Sequence, residues 1–200
     1  MNTIHIIMLE LNRKYKSASA AEIIRDAILF GDISGEIIQS EFADALGISR
    51  IPVREALIIL EYHGLVEKMP NQHVKIISFD DKAVRDIFVD MSLLELAALK
   101  NLSAGKLQEL SSLAQMEFHR ELYANTNSPL RKRFLRIITE AYLAFVIENT
   151  DSVKIMEAFE KVRKSLGNFS ALKAGYTIYA DVLTSELARI RQENRRNNHA

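Results

Sequence analysis

Residues 46–66 read LGISRIPVREALIILEYHGLV, and the spacing of side chains within them decides the fold. Gly47 suits a tight corner, and Ser49 stands where an N-cap hydroxyl would accept an orphaned first-turn amide. Pro52 follows inside that first turn, where a missing N–H removes no intrahelical bond. Val53, Leu57 and Leu60, at spacings of four and three, form a stripe that anchors the helix in a core. Arg50 and Arg54, four apart, share a different face. The pattern predicts a helix that holds two guanidinium groups outward at its N-terminal end, stopped by Gly64 just after His63.

Working towards the N-terminus, SEFADAL (40–46) predicts a short second helix with Phe42, Ala45 and Leu46 facing inward, and DISGE (32–36) a turn. SASAAEIIRDAILFGD (17–32) places Ser19 and Glu22 at capping-box spacing ahead of Ile24, Ala27 and Ile28, which predicts a first helix ending near Gly31. Towards the C-terminus the period changes. LVEK (65–68) and HVKII (73–77) are β-prone segments flanking Pro70-Asn71, the pattern of a hairpin. Helix, helix, corner, helix and a two-stranded ribbon make a winged helix-turn-helix.

Beyond Phe79 the chain reads as helix throughout. One helix starts at Asp80 or Asp81 with Val84, Ile87, Phe88, Met91, Leu94 and Ala98 on one side, and a second, capped by Ser103, carries Leu107, Leu110, Leu113 and Phe118 towards Tyr123. A third follows Pro129, a fourth ends at Gly167, and a last runs from about Ser170 to the basic, polar ARIRQENRRNNHA (188–200), read as a solvated tail. The expected organisation is mainly α: residues 1–78 a winged helix-turn-helix with an extension at 1–18, and 79–200 an all-α antiparallel helical bundle for effector binding and dimerisation.

Composition narrows the chemistry. The 200 residues contain no cysteine, which removes disulfides, thiolate metal sites and cysteine nucleophiles and fits a reducing cytoplasm. The opening apolar run is broken by Glu10 and lacks a basic segment before it, so neither a signal peptide nor a membrane span is expected. Residues 1–78 hold 8 Lys and Arg against 10 Asp and Glu, and the remainder 18 against 16. A nucleic-acid partner would therefore be held by a few placed cations rather than by a basic field. No nucleophile–base pair, glycine-rich phosphate loop or HExxH stands in a recognisable context, so no enzyme is expected.

Residues 20–68 resemble the N-terminal domain of the GntR superfamily of bacterial transcription regulators. The resemblance rests on Leu46-Gly47-Ile48-Ser49-Arg50, Pro52-Val53-Arg54-Glu55-Ala56-Leu57, Leu60 and Gly64-Leu65-Val66. The helical remainder resembles the effector domain of the FadR-like branch, chiefly through EFHRELYANTNSPL (117–130). The resemblance implies that the helix after the corner enters the major groove, with Arg50 and Arg54 on guanine edges or phosphates. It also implies contacts from Ser40, Ser49, Pro52 and Val53, and from the wing residues Asn71, Gln72 and His73, although relatives have a glycine-containing turn in the wing. In an arbitrary protein, two exposed arginines would be an ordinary solvated pair.

The same resemblance implies a divalent metal held by an aspartate and three histidines within the bundle, used to bind a carboxylate effector. His119 falls at one such position and is the weak metal candidate here. The aspartate falls at Gln115, the other histidines at about Glu157 and Tyr179, and an effector-binding arginine at Met91. Tyr142 completes the expected pocket lining. With most ligands substituted, no metal or other cofactor is expected. A metal-free ligand pocket, a bundle without an effector and a hydrogen-bonded core role for His119 all stay open. The functional expectation is a cytoplasmic, homodimeric DNA-binding regulator, a repressor reading a palindromic double-stranded operator, with room for a small-molecule effector. The alternative is a protein-interaction module whose winged helix no longer reads DNA.

Overall fold

The computed structural model describes residues 19–70 and 73–198, which divide into two compact units. One reaches Ser78 and takes in the end of the last helix from Arg191; the other runs from Phe79 to Ile190. A second region expected to run unbroken to 200 therefore yields its last helical turns to the first.

In the first unit α1 spans Ala20–Phe30, β1 Glu36–Ile37, α2 Gln39–Leu46, α3 Arg50–Tyr62, β2 Val66–Lys68 and β3 Val74–Ile76. The capping box closes α1 as its sequence predicts: Ser19 N–H donates to Glu22 Oε2 at 2.6 Å and Glu22 N–H to Ser19 Oγ at 3.4 Å. α1 packs mainly on α3, burying Ile24, Ala27 and Ile28 with Val53, Leu57 and Leu60. The sheet has the order β1-β3-β2, both pairs antiparallel, with Glu36 opposite Lys75 and Val66 opposite Ile76. The two-stranded wing thus gains a third strand where the sequence reads only as a turn. Two residues suffice, because Ile76 N–H also donates to Gly35 O at 2.8 Å and Ile37 is buried.

The end of the last helix, α10 (Phe169–Asn198), belongs to this unit from Arg191 onwards. Arg191 is buried, and its Nε donates to Leu29 O at 2.8 Å; Asn194 Nδ2 donates to Asp32 Oδ1 at 2.5 Å. Leu29 lies in the final turn of α1, whose carbonyls have no partner within the helix. The reading of this run as a solvated tail is therefore corrected at Arg191. A cation at a helix C-terminus is also favoured by the helix dipole.

The second unit contains α4 (Asp81–Leu99), α5 (Ala104–Ser111), α6 (Gln115–Ala124), α7 (Pro129–Ile137), a π-helical segment (Ile138–Leu143), α8 (Ala144–Glu148), α9 (Val153–Lys164) and the first part of α10. Asp80 caps α4 by accepting from Ala83 N–H at 2.7 Å, and Ser128 caps α7, in which Pro129 takes the first position. Two departures from the sequence reading occur. The single helix expected from Ser103 to Tyr123 is broken at 112–114, where the Ser111 and Ser112 hydroxyls donate back to Gln108 O and Glu109 O. Such local bonds compete with helix continuation. The helix after Pro129 contains the π segment, in which Thr139 is buried with its hydroxyl lacking a hydrogen-bond partner among the described residues. No helix among the described residues is long and apolar enough to cross a membrane.

Candidate nucleic-acid interface and a buried polar centre

The corner between α2 and α3 consists of Gly47, Ile48 and Ser49. Gly47 has φ +67°, a left-handed conformation that L side chains rarely adopt, and its N–H donates to Ala43 O and Asp44 O. The chain can therefore leave α2 and start α3 within three residues. Ser49 is the N-cap of α3 by position, but its hydroxyl makes no capping hydrogen bond, contrary to expectation. That side chain is exposed at a helix N-terminus, where amides and the dipole favour an anion such as phosphate.

Arg50 and Arg54 are both exposed, and among the described residues neither has a hydrogen bond or ion pair. Arg54 borders a groove of about 350 Å³, lined also by Leu57, Ile58 and Glu61 of α3, Gln39 of α2, and Lys68 and Val74 of the wing strands. Ser40 is half-buried in the first turn of α2, and Pro52 is half-buried in that of α3. Val53 is 0 % exposed, so its expected contact with DNA is corrected: it is a core residue. Asn71 and Gln72 lie outside the described residues. His73 is exposed at the wing, and its Nδ1 lies 3.1 Å from Glu36 Oε2 on the adjoining strand.

The helical unit brings a different set of side chains together. Glu95 of α4 and His119 of α6 are both 0 % exposed, with His119 Nδ1 2.7 Å from Glu95 Oε1. Tyr176 of α10 donates its hydroxyl to Glu95 Oε2 at 2.7 Å. His119 Nε2 lies 3.1 Å from Tyr179 Oη, which also accepts from Gln115 Nε2 at 2.6 Å. One proton arrangement gives every donor an acceptor: Gln115 to Tyr179, Tyr179 to His119 Nε2, His119 Nδ1–H and Tyr176 to Glu95. Burial pushes both tyrosine hydroxyls far above their ordinary range, so they remain donors. The His119 and Tyr179 rings stack with centroids 5.8 Å apart, and Phe118 and Phe159 close the surroundings edge-on to one another.

These residues do not fit a divalent metal. Both His119 ring nitrogens and the Gln115 amide are engaged, Tyr179 keeps its proton, and no group of three or more His, Asp or Glu among the described residues could hold an ion. Glu157 is exposed on α9, so its expected place beside His119 is corrected. Met91 is 0 % exposed one turn before Glu95 on α4, offering only a thioether where an arginine was expected. Tyr142 is buried in the π segment with its ring 6.1 Å from that of Phe79. Glu95 and Tyr176 are missing from the sequence-based site, although a carboxylate inside the apolar run LLELAAL (93–99) is a signal that something must pair with it.

Residues 16–76 match the family profile described as "Bacterial regulatory proteins, gntR family". No functionally curated protein matches the chain. Among solved structures, Lar, described as controlling expression of the Listeria monocytogenes agr system, is similar at 18 % identity and TM-score 0.55, over 85 % of this chain and 95 % of that one. E. coli McbR/YncC is similar at 17 % identity and TM-score 0.46, over 96 % and 99 %. A GntR-family regulator from Pseudomonas syringae is similar at 18 % identity and TM-score 0.41, over 99 % of each chain. At these identities the likeness to Lar speaks for the fold.

Proposed function

We propose, from the premise that residues 16–76 belong to the gntR family of bacterial regulatory proteins, that this DNA-binding transcription regulator is a homodimeric repressor of a palindromic operator. Family membership carries the coarse function, transcription regulation through DNA, and no enzymatic activity. The finer reading is carried by one observation: Arg50 and Arg54 stand exposed, and without partners among the described residues, at the N-terminal end of the helix that follows the corner. An arginine fork on guanine contributes about 1–3 kcal/mol of discrimination, and on a phosphate it fixes register. Two copies related by a two-fold axis read half-sites about one helical turn apart.

In this reading the protein acts in the cytoplasm, and the helical unit supplies the dimer interface. Any effector enters it without a metal, because the Glu95–His119–Tyr179 centre is already internally satisfied. A ligand switches the protein only by binding the DNA-competent and DNA-incompetent states unequally.

Selection of bound sequences from random duplex DNA, followed by titration of the selected duplex in a salt series, tests the reading. A two-fold consensus is expected, with affinity falling about 10²-fold between roughly 50 and 200 mM salt as four arginines displace counterions. Arg50→Ala should weaken binding and relax base preference at one position per half-site. The acidic balance of residues 1–78 motivates the second reading, a winged helix that docks on protein. Binding without consensus or salt dependence would favour that module and overturn the regulator.

A further inference from the structure

The first turn of α3 exposes an apolar residue beside its arginines. Ile51 is 69 % exposed, more than any other large hydrophobic residue described as exposed. At about 100° per residue, Arg54 and Arg50 lie roughly 60° and 100° round the helix from Ile51, on one side. Ile58 and Tyr62, also exposed, fall within about 20° of it, while the buried Val53 and Leu60 lie on the far side. Ile51 therefore occupies the crest of the helix that carries the arginines.

A helix entering the major groove reads bases mainly through its N-terminal residues. Isoleucine can neither donate nor accept a hydrogen bond. Only one base edge in that groove offers a methyl group, the C5-methyl of thymine; elsewhere an aliphatic chain would mainly meet hydrogen-bonding groups and desolvate them without replacement. We propose that Ile51 is a specificity-determining residue that reads a thymine methyl, in each half-site, beside the bases or phosphates held by Arg50 and Arg54. The proposal rests on the regulator reading above and names part of what that regulator recognises. Its exposure in the free protein and its continuity with the arginine face both follow from this role: the side chain leaves water only when a duplex arrives.

The test replaces each thymidine of the selected duplex, one at a time, with deoxyuridine, which keeps Watson–Crick pairing and removes only the methyl. Binding of the full chain is measured for the wild type and for Ile51→Ala. One thymine per half-site should lose about fourfold in affinity, the equivalent of the ~0.8 kcal/mol gained on burying a methyl group. The same replacement should cost nothing in Ile51→Ala. Indifference to every deoxyuridine, or a methyl effect that persists in Ile51→Ala, overturns the proposal while a selected consensus still stands; the Ile51, Ile58 and Tyr62 stripe would then be open to a protein partner. Failure to select any consensus overturns the regulator reading and this proposal with it.

Discussion

Replacing Glu95 tests whether the buried centre of the helical unit is a self-contained network. The carboxyl group lies 2.7 Å from His119 Nδ1 and accepts from the Tyr176 hydroxyl at 2.7 Å, with no solvent access, and in the proton arrangement above it accepts from both. In Glu95→Leu two buried donors lose their acceptor, at about 1–3 kcal/mol each, so a loss of about 2–6 kcal/mol is expected. Removing a buried polar group and adding apolar contact offset part of that. Glu95→Gln can accept only one of the two bonds and turns an amide donor towards the other donor, so it should cost about 1–3 kcal/mol. Urea unfolding followed by circular dichroism gives the stabilities, and hydrogen exchange should place the loss in α4, α6 and α10. Zinc or chelator should leave the wild-type midpoint unchanged. A Glu95→Leu protein within about 0.5 kcal/mol of wild type would refute the network, as would a zinc-dependent rise in the midpoint that His119→Ala abolishes.

Arg191→Ala should destabilise the first unit by about 1–3 kcal/mol, because Leu29 O loses its buried donor, whereas Arg196→Ala, exposed on the same helix, should stay within about 0.5 kcal/mol; urea melts compare them. Val53→Ala should cost about 2 kcal/mol of stability and leave the selected DNA consensus unaltered, which separates its core position from the expected contact. Glu140 accepts from Arg120 Nε and Nη2 and from the Tyr123 hydroxyl, and the Arg120 guanidinium holds its carboxyl below the ordinary value of 4.5. That contribution is present above 4.5 and is lost as pH falls through the lowered value. Thermal melts from about pH 6 to 3 should thus fall less steeply for Glu140→Gln than for wild type.

What the sequence revealed follows from how locally each feature is determined. Ser19 with Glu22, Gly47, Pro52 and the Val53–Leu57–Leu60 stripe act within one or two turns, and each is found in its expected element. β1 has no such signal: its two residues pair with Val74 and Lys75, far along the chain, so DISGE reads as a turn. The π segment hides because one widened turn hardly disturbs the apolar period of residues 129–148. The arginine pair was legible as a pair because four residues is a helical repeat. Val53 carried two incompatible expectations, core anchor and DNA contact, and its burial decides for the first. Glu95 escaped notice because its partners lie 24 and 81 positions away, distances that no periodicity reports.

The bond from Arg191 to Leu29 spans 162 positions. Polypeptides leave the ribosome N-terminus first, and domains as a rule fold as they emerge. Here the arginine-bearing unit is translated early, yet the guanidinium that closes its first helix emerges only after the whole intervening bundle has been made. A nascent chain halted before that point carries α3 and its exposed arginines on a scaffold with one end unlatched. The timing of translation thereby links the soundness of the first unit to the synthesis of the segment that separates it from its clasp.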